Sequence, residues 1–164
     1  MMPRGAAEQR GEEMAAIEGV LHARRTDKRV GDWLDSARAA DPAGQRALDL
    51  IGRAYRRNAC IPGKLAAEIA RVTSVAQGIW AEARAKNDVA HFLPTLETVL
   101  KLKREAGEAL VAGGFGADAY DALLDDYEPG ATAASIGARR ASTRPGTGAF
   151  ANTCSVGGWR GTTP

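Results

Sequence analysis

The two histidines of this chain, His22 and His91, are the side chains from which a metal site or an acid–base pair would most readily be built. A hydrolytic zinc site on a helix needs two histidines one turn apart, so that both rings face one ion, with a glutamate between them to activate the bound water. Neither histidine has that pattern around it. We therefore expect structural or solvent-facing roles, with His22 ending a first helix, where an imidazolium suits the helix dipole, and His91 beside Phe92 in a connection.

The other reactive residue types also lack a catalytic pattern. Cys60 and Cys154 have no cysteine or histidine at metal-ligand spacing, which predicts unpaired thiols in a reducing compartment. No serine stands in a Gly-x-Ser-x-Gly elbow. The glycines of residues 113–116 follow no strand and precede no Lys-Ser or Lys-Thr pair, so they predict a turn and no phosphate loop.

Charge is distributed unevenly along the chain. All 20 acidic residues lie at or before Glu128, whereas four of the 22 basic residues lie after it, so the body is slightly negative although the whole chain has a formal charge of +2. The arginine pairs at 24–25 and 56–57 stand among acids and predict solvated faces, and the pair Asp125–Asp126 predicts a solvated helix end more than a cation site. This pattern favours neither a nucleic-acid partner nor a membrane partner.

The elements that would position these residues are helices, because most of the chain before Ile136 is rich in Ala, Leu, Glu, Arg and Lys and lacks alternating β-branched runs. Asp41-Pro42 is a helix cap followed by proline at the first helical position. We predict an all-α fold, an antiparallel array of about six helices: residues 6–24, a second helix capped by Thr26 or Asp27, then residues 42–58, 62–86, 95–110 and 117–126.

The apolar residues at helical spacing define the expected core. The fourth helix has the clearest pattern, with steps of 4, 3, 4, 3 and 4 that indicate a seam for packing against another helix. The predicted core residues, helix by helix, are Met14, Ile17 and Leu21; Val30, Trp33, Leu34 and Ala37; Leu48, Ile51 and Tyr55; Leu65, Ile69, Val72, Ala76, Ile79 and Ala83; Leu96, Val99, Leu100, Lys103 and Ala106; Tyr120, Leu123 and Leu124.

The composition changes at Gly137. Residues 137–164 contain no Asp, Glu, Lys, Leu or Ile, and so little apolar surface does not offset the cost of ordering the backbone. We therefore divide the chain into a helical region, residues 1–136, and a disordered tail, residues 137–164. The tail is either a natural linker or the product of a shifted reading frame, and the abrupt change within the first turns of a helix favours the shifted frame. No signal peptide or membrane span is evident, which predicts a soluble, cytoplasmic protein.

Several segments of the chain have a distinctive order and spacing. They are residues 77–88 with Trp-Ala-Glu-Ala-Arg at 80–84, residues 92–97 with Phe-Leu-Pro-Thr-Leu-Glu, residues 102–105, residues 120–125, and Tyr-Glu-Pro-Gly at 127–130. In this order they resemble the amino-terminal region of the Taq-type metallocarboxypeptidases, metallopeptidase family thirty-two, and the resemblance runs from about Met2 to Ile136.

The resemblance implies a nearly all-helical, generally dimeric enzyme that removes residues from the carboxyl ends of peptides. Such enzymes hold zinc or cobalt with a His-Glu-x-x-His helix and a later glutamate, and the motif glutamate is the general base. None of these residues occurs in this sequence, so no catalytic, cofactor-binding or metal role is assigned to any position. Both ends of the chain look cut relative to the family, and the matching part is expected to roof the substrate groove.

Three hypotheses follow. The first is an amino-terminal fragment of a metallocarboxypeptidase that is itself inactive. The second is a non-catalytic helical interaction module, motivated by the seam between Leu65 and Ala83. The third and weakest is nucleic-acid binding through the arginine-containing tail.

Overall fold

The computed structural model describes residues 4–142, and these residues form helices joined by short turns. A short 3-10 helix, Arg4–Ala6, leads into seven α-helices: α1 (Ala7–Arg25), α2 (Lys28–Ser36), α3 (Pro42–Cys60), α4 (Gly63–Lys86), α5 (Val89–Ala112), α6 (Ala119–Leu124) and α7 (Ala133–Ser142). No strand occurs within the described range, which confirms the all-α prediction. The seventh helix, of which only the first turns were predicted, continues past Gly137, and the rest of the predicted tail, residues 143–164, lies outside the described residues.

Two predicted caps begin their helices as expected. The Asp27 carboxylate accepts a hydrogen bond from the Arg29 amide at 2.9 Å, and the Asp41 carboxylate accepts one from the Gly44 amide at 2.6 Å. Both bonds satisfy an amide that has no partner inside the first turn of its helix. Local sequence therefore determines where α2 and α3 start.

The start of α5 was predicted wrongly. Asp88 accepts a hydrogen bond from the His91 amide at 3.1 Å and begins the helix at Val89, well before the predicted start at Thr95. Pro94, which was expected to break the chain here, lies inside the helix with its ring exposed. The proline ring fixes φ at a value that a helix accepts. Proline has no amide hydrogen, so one backbone hydrogen bond is missing, close to the start of the helix.

Helix α4 is the centre of the fold, with α1 and α5 as its main neighbours. Its predicted seam is confirmed, since Leu65, Val72, Ala76 and Ala83 are all buried. Helix α1 runs antiparallel to α4, because its beginning lies against the middle of α4 and its end lies against the start of α4. Among residues 4–142, no helix has both the length and the apolar composition that crossing a bilayer requires.

Helix α1 packs against α4 through small and polar residues. A Cβ atom on the buried Gly11 would lie only 2.9 Å from Cγ2 of Val75, so the two helices approach closely at this point. Ala15, Glu18 and His22 continue this half-buried stripe along α1. The predicted core stripe of Met14, Ile17 and Leu21 is instead exposed.

Other large side chains that were assigned to the predicted core are also exposed, namely Trp33, Ile51, Leu100, Lys103 and Tyr120. Small residues supply most of the buried core: Ala76, Ala83, Ala106, Ala122 and Ala131. Small side chains let helix backbones approach closely, and large apolar side chains then remain on the outer faces of the array. The periodicity correctly showed which residues share a helix face, but several faces that we predicted to be buried are exposed.

The predicted glycine turn between α5 and α6 is confirmed. Gly114 and Gly116 have φ values of 86° and 75°, which L side chains rarely adopt. A Cβ atom on Gly116 would lie 2.5 Å from the Ala122 amide nitrogen. The turn thereby brings α6 back against α5, where Gly107 leaves room for Ala119.

Candidate functional site

Neither histidine lies in a site that could activate water. The half-buried His22 ring donates from Nε2 to the carbonyl oxygen of Ile61 at 2.8 Å and lies against Gly63, so it joins α1 to the turn between α3 and α4. This confirms the predicted structural role. His91 lies in the exposed first turn of α5, not in a connection, with Nε2 4.0 Å from a carboxylate oxygen of Glu82.

The described residues do not fit the zinc or cobalt ion that the family resemblance implies. Within residues 4–142, no three histidine, cysteine, aspartate or glutamate side chains come together in a way that could hold an ion. His91 and Glu82 supply two potential ligands, one fewer than the three protein ligands of a catalytic zinc site. Cys60 is a free thiol bonded at 3.2 Å to the carbonyl oxygen of Arg56.

The most organised polar cluster joins α3 to α6 and is built around Arg57. Arg57 as a whole is only 9% exposed, and its guanidinium contacts Asp125 at 2.8 Å, Asp126 at 2.7 Å and the Ala122 carbonyl oxygen at 3.1 Å. It also lies over the Phe115 ring, 5.1 Å from the ring centroid. We call Arg53, Arg57, Asp125 and Asp126 the arginine–aspartate cluster, in which Arg53 makes a further ion pair with Asp125.

Asp121 and Asp125 also accept hydrogen bonds from the chain that leads into α7. The second oxygen of Asp125 accepts a hydrogen bond from the Gly130 amide at 2.9 Å, which holds the Glu-Pro-Gly turn of residues 128–130. The buried Asp121 accepts a hydrogen bond from the Ala133 amide at 2.8 Å, in the first turn of α7. Two carboxylates on and just after α6 therefore position the start of the next helix.

This cluster corrects two predictions. Arg57 was expected on a solvated face and Asp125 at a solvated helix end, yet they form a partly buried ion pair. The spacing of Arg53 and Arg57, one helical turn apart, showed that both could face the same way. Nothing local could identify their acidic partners, because those lie far along the chain.

The environment of Asp125 shifts its pKa. Burial opposes ionisation of this carboxyl, but the Gly130 amide and the guanidinium groups of Arg53 and Arg57 more than offset it, so the pKa lies below its ordinary value of 3.8. A depressed folded-state pKa adds stability above the unfolded value that is lost as the pH falls through the folded value. Ion pairing at Asp125 should therefore stabilise the fold at neutral pH and weaken in acid.

We expect Asp125→Asn to flatten the acid side of the stability profile. In the parent chain the free energy of unfolding should decrease as the pH falls below 3.8, and in the variant it should decrease less. Denaturant titrations at a series of pH values measure both profiles. Asp32→Asn, at an exposed site on α2, is the control, and a variant profile that matches this control would exclude a role for Asp125 in acid sensitivity.

The grooves of the surface offer little for catalysis. One groove, ≈ 510 Å³, lies between α2 and α3 and presents Asp35, Arg38, Asp49 and Arg56 without a histidine or a cysteine. A second, ≈ 370 Å³, borders the arginine–aspartate cluster, whose charged groups already pair with one another. Across the described residues, no buried side-chain nitrogen or oxygen lacks a hydrogen-bond partner.

The residues that carry the family resemblance occupy two different settings. Trp80 and Leu93 lie exposed on the hairpin of α4 and α5. Residues 120–130 contain the buried Asp121, the half-buried Asp125 and the turn that lead into α7. The matching residues on the α4–α5 hairpin are therefore exposed on the surface, whereas those of residues 120–130 stabilise the local fold.

Comparison with known proteins supports that resemblance. A family model described as carboxypeptidase Taq (M32) metallopeptidase matches residues 1–147, which passes the predicted limit at Ile136. Thermostable carboxypeptidase 1 of Thermus thermophilus is 39% identical over 143 residues, and the match covers 79% of this chain and 28% of that protein. Carboxypeptidase 1 of Bacillus subtilis is 28% identical over 134 residues, covering 79% and 26%.

A similar fold occurs in the BsuCP crystal structure. It superposes with a TM-score of 0.76 at 25% identity and covers 87% of this chain and 29% of that one. The chain thus spans less than a third of the length of these relatives.

Proposed function

The chain belongs to the carboxypeptidase Taq (M32) metallopeptidase family, and from that membership we propose that its helices form the amino-terminal part of a metal-dependent carboxypeptidase. The match over residues 1–147 carries this proposal, and the TM-score of 0.76 with BsuCP supports it. The substrate of the whole enzyme is a peptide, from whose carboxyl end residues are removed. In that enzyme the helices described here roof the substrate groove.

The catalytic groups come from another part of such an enzyme. Only two histidines occur in the sequence, and Nε2 of His22 is already hydrogen-bonded to the carbonyl oxygen of Ile61. A divalent metal, zinc or cobalt, and its general base therefore lie outside these helices. The 164-residue chain alone is a non-catalytic member of the family.

Two further features belong to the same proposal. The whole enzyme is a homodimer, as the family resemblance implies. It is located in the cytoplasm, a reducing compartment that suits the free thiol of Cys60.

The proposed lack of activity is tested on the purified chain. Incubated with a peptide and added zinc or cobalt, it is expected to release no carboxy-terminal amino acid, because residues 4–142 do not bring together three protein ligands for an ion. Thermus thermophilus carboxypeptidase 1 in the same assay is the positive control. Sustained release that is abolished by a chelator would overturn the proposal.

A second candidate function is a helical interaction module that folds by itself. Buried residues such as Leu110 and Ala122 favour it, since they form an interior within the described helices. A sharp cooperative thermal transition of the isolated chain would support this function. Gradual melting together with binding of an apolar dye would contradict it.

A further inference from the structure

Helix α1 has two long faces of different character. The face on α4 consists of Gly11, Ala15, Glu18 and His22. The neighbouring face is more apolar and remains open, with Met14, Ile17, Val20 and Leu21 exposed by 36%, 53%, 63% and 40%. An amphipathic helix normally buries its most apolar face, so this arrangement points to a second packing partner for α1.

The open face has a regular pattern with a positive charge at each end. Arg10, Met14, Ile17, Leu21 and Arg24 step by four, three, four and three residues, the spacing of a stripe that packs against another helix. Arg10 and Arg24 are exposed, and Arg24 interacts electrostatically with the carboxylate of Asp27 beyond the end of α1. The face therefore suits a helix with an apolar stripe and acidic groups near both ends of the contact.

A second copy of this chain is a poor occupant of the face. Two α1 helices packed antiparallel about a twofold axis near Ile17 would place Arg10 opposite Arg24, or opposite Arg25 if the axis is shifted by half a residue. Either register brings like charges together at both ends of the contact. The charge pattern thus favours a different helix.

We infer that this face of α1 binds an amphipathic helix, flanked by acidic side chains, from the remainder of an M32 carboxypeptidase chain. The inference rests on the proposed function. It is supported by length, since the chain spans 28% of its Thermus relative and 29% of BsuCP, which leaves more than two thirds of each relative to cover open faces. The α1 face is then an internal interface of the enzyme and is exposed only when the helices stand alone.

Cysteine labelling tests this inference in two contexts. Ile17→Cys places a thiol on the open face, and Ala23→Cys places one on the exposed far side of the same helix. Each variant is made in the 164-residue chain and in a graft in which residues 1–142 replace the corresponding part of Thermus thermophilus carboxypeptidase 1. Mass spectrometry of the labelled peptides separates these thiols from Cys60 and, in the 164-residue chain, from Cys154.

In the isolated chain both thiols are expected to react rapidly. In the graft, Ile17→Cys should be labelled at least about tenfold more slowly than in the isolated chain, because a buried thiol reacts only after local opening. Ala23→Cys should be labelled at the same rate in both proteins. Arg10→Glu combined with Arg24→Glu should restore part of the Ile17→Cys reactivity in the graft. Equal reactivity of Ile17→Cys in both contexts would overturn the inference.

Two further measurements separate the alternatives. Peptidase activity of the graft tests the proposed function independently of the labelling. An active graft in which Ile17→Cys is labelled rapidly would refute only the docking face. An inactive graft in which this thiol is protected would refute only the proposed function. Self-association of the isolated chain that Ile17→Asp abolishes would identify a second copy as the occupant and overturn the inference. If the graft does not fold, labelling at the aligned positions of the intact Thermus enzyme decides the question.

Discussion

Replacing Arg57 with alanine should lower the free energy of unfolding by about 3 kcal/mol, because it leaves Asp125 and Asp126 without a buried cationic partner. The guanidinium also contacts the Ala122 carbonyl oxygen and the Phe115 ring, so several interactions are lost together. Arg53 continues to pair with Asp125, which places the expected effect at the lower end of the range for a broken buried pair. Denaturant titration at neutral pH measures the change.

The matched control is Lys86→Ala, which removes an exposed ion pair with Glu82. Exposed pairs contribute about 0.5 kcal/mol or less, so this variant should unfold nearly as the parent does. The double variant Arg57→Ala, Asp125→Ala should be less destabilised than the sum of its single variants, because the two residues share one interaction. Equal effects of Arg57→Ala and Lys86→Ala would show that the cluster contributes no more than a surface pair.

Leu110→Ala should destabilise the fold by about 3 kcal/mol, since it leaves a cavity at a side chain that is only 1% exposed. Leu110 is the largest side chain of those that are almost completely buried in the described part of the chain. Leu100→Ala, on the same helix and 43% exposed, should cost less than about 1 kcal/mol because little apolar area leaves the interior. The two variants therefore measure whether these helices have a core of their own.

Denaturant midpoints compare these variants directly. The slope of the unfolding transition should stay constant while the midpoint of Leu110→Ala falls. If both leucine variants shift the midpoint equally, the interior near the end of α5 is not packed as described.

The parts of the fold that depend on neighbouring residues could be predicted from the sequence. Asp27 and Asp41 begin helices because a carboxylate satisfies amides within its own first turn. The regular spacing of α4 indicated a packing seam, and its apolar residues are buried. These features need no knowledge of the distant chain.

The faces of α1 could not be assigned in this way. Met14, Ile17 and Leu21 form its more apolar stripe, yet Gly11 and Ala15 lie against α4 because they allow a closer approach. Periodicity shows which residues share a face but not which partner covers that face. For α1, we propose that the partner lies in the remainder of the enzyme.

The arginine–aspartate cluster was missed for a related reason. Arg57 and Asp125 are each ordinary in their local sequence, and their ion pair exists only because the glycine turn brings α6 back toward α3. The family resemblance included residues 120–130 without explaining their role. The hydrogen bonds from Asp125 to Gly130 and from Asp121 to Ala133 supply that explanation.

Activity of the graft, measured beside the isolated chain, tests most directly whether these helices are the non-catalytic amino-terminal part of a metallocarboxypeptidase. Both proteins are assayed with the same peptide in the presence of zinc or cobalt, and intact Thermus thermophilus carboxypeptidase 1 is the reference. The expected result is release of carboxy-terminal residues by the graft and none by the 164-residue chain. A folded graft without activity, or sustained metal-dependent release by the chain alone, would contradict it.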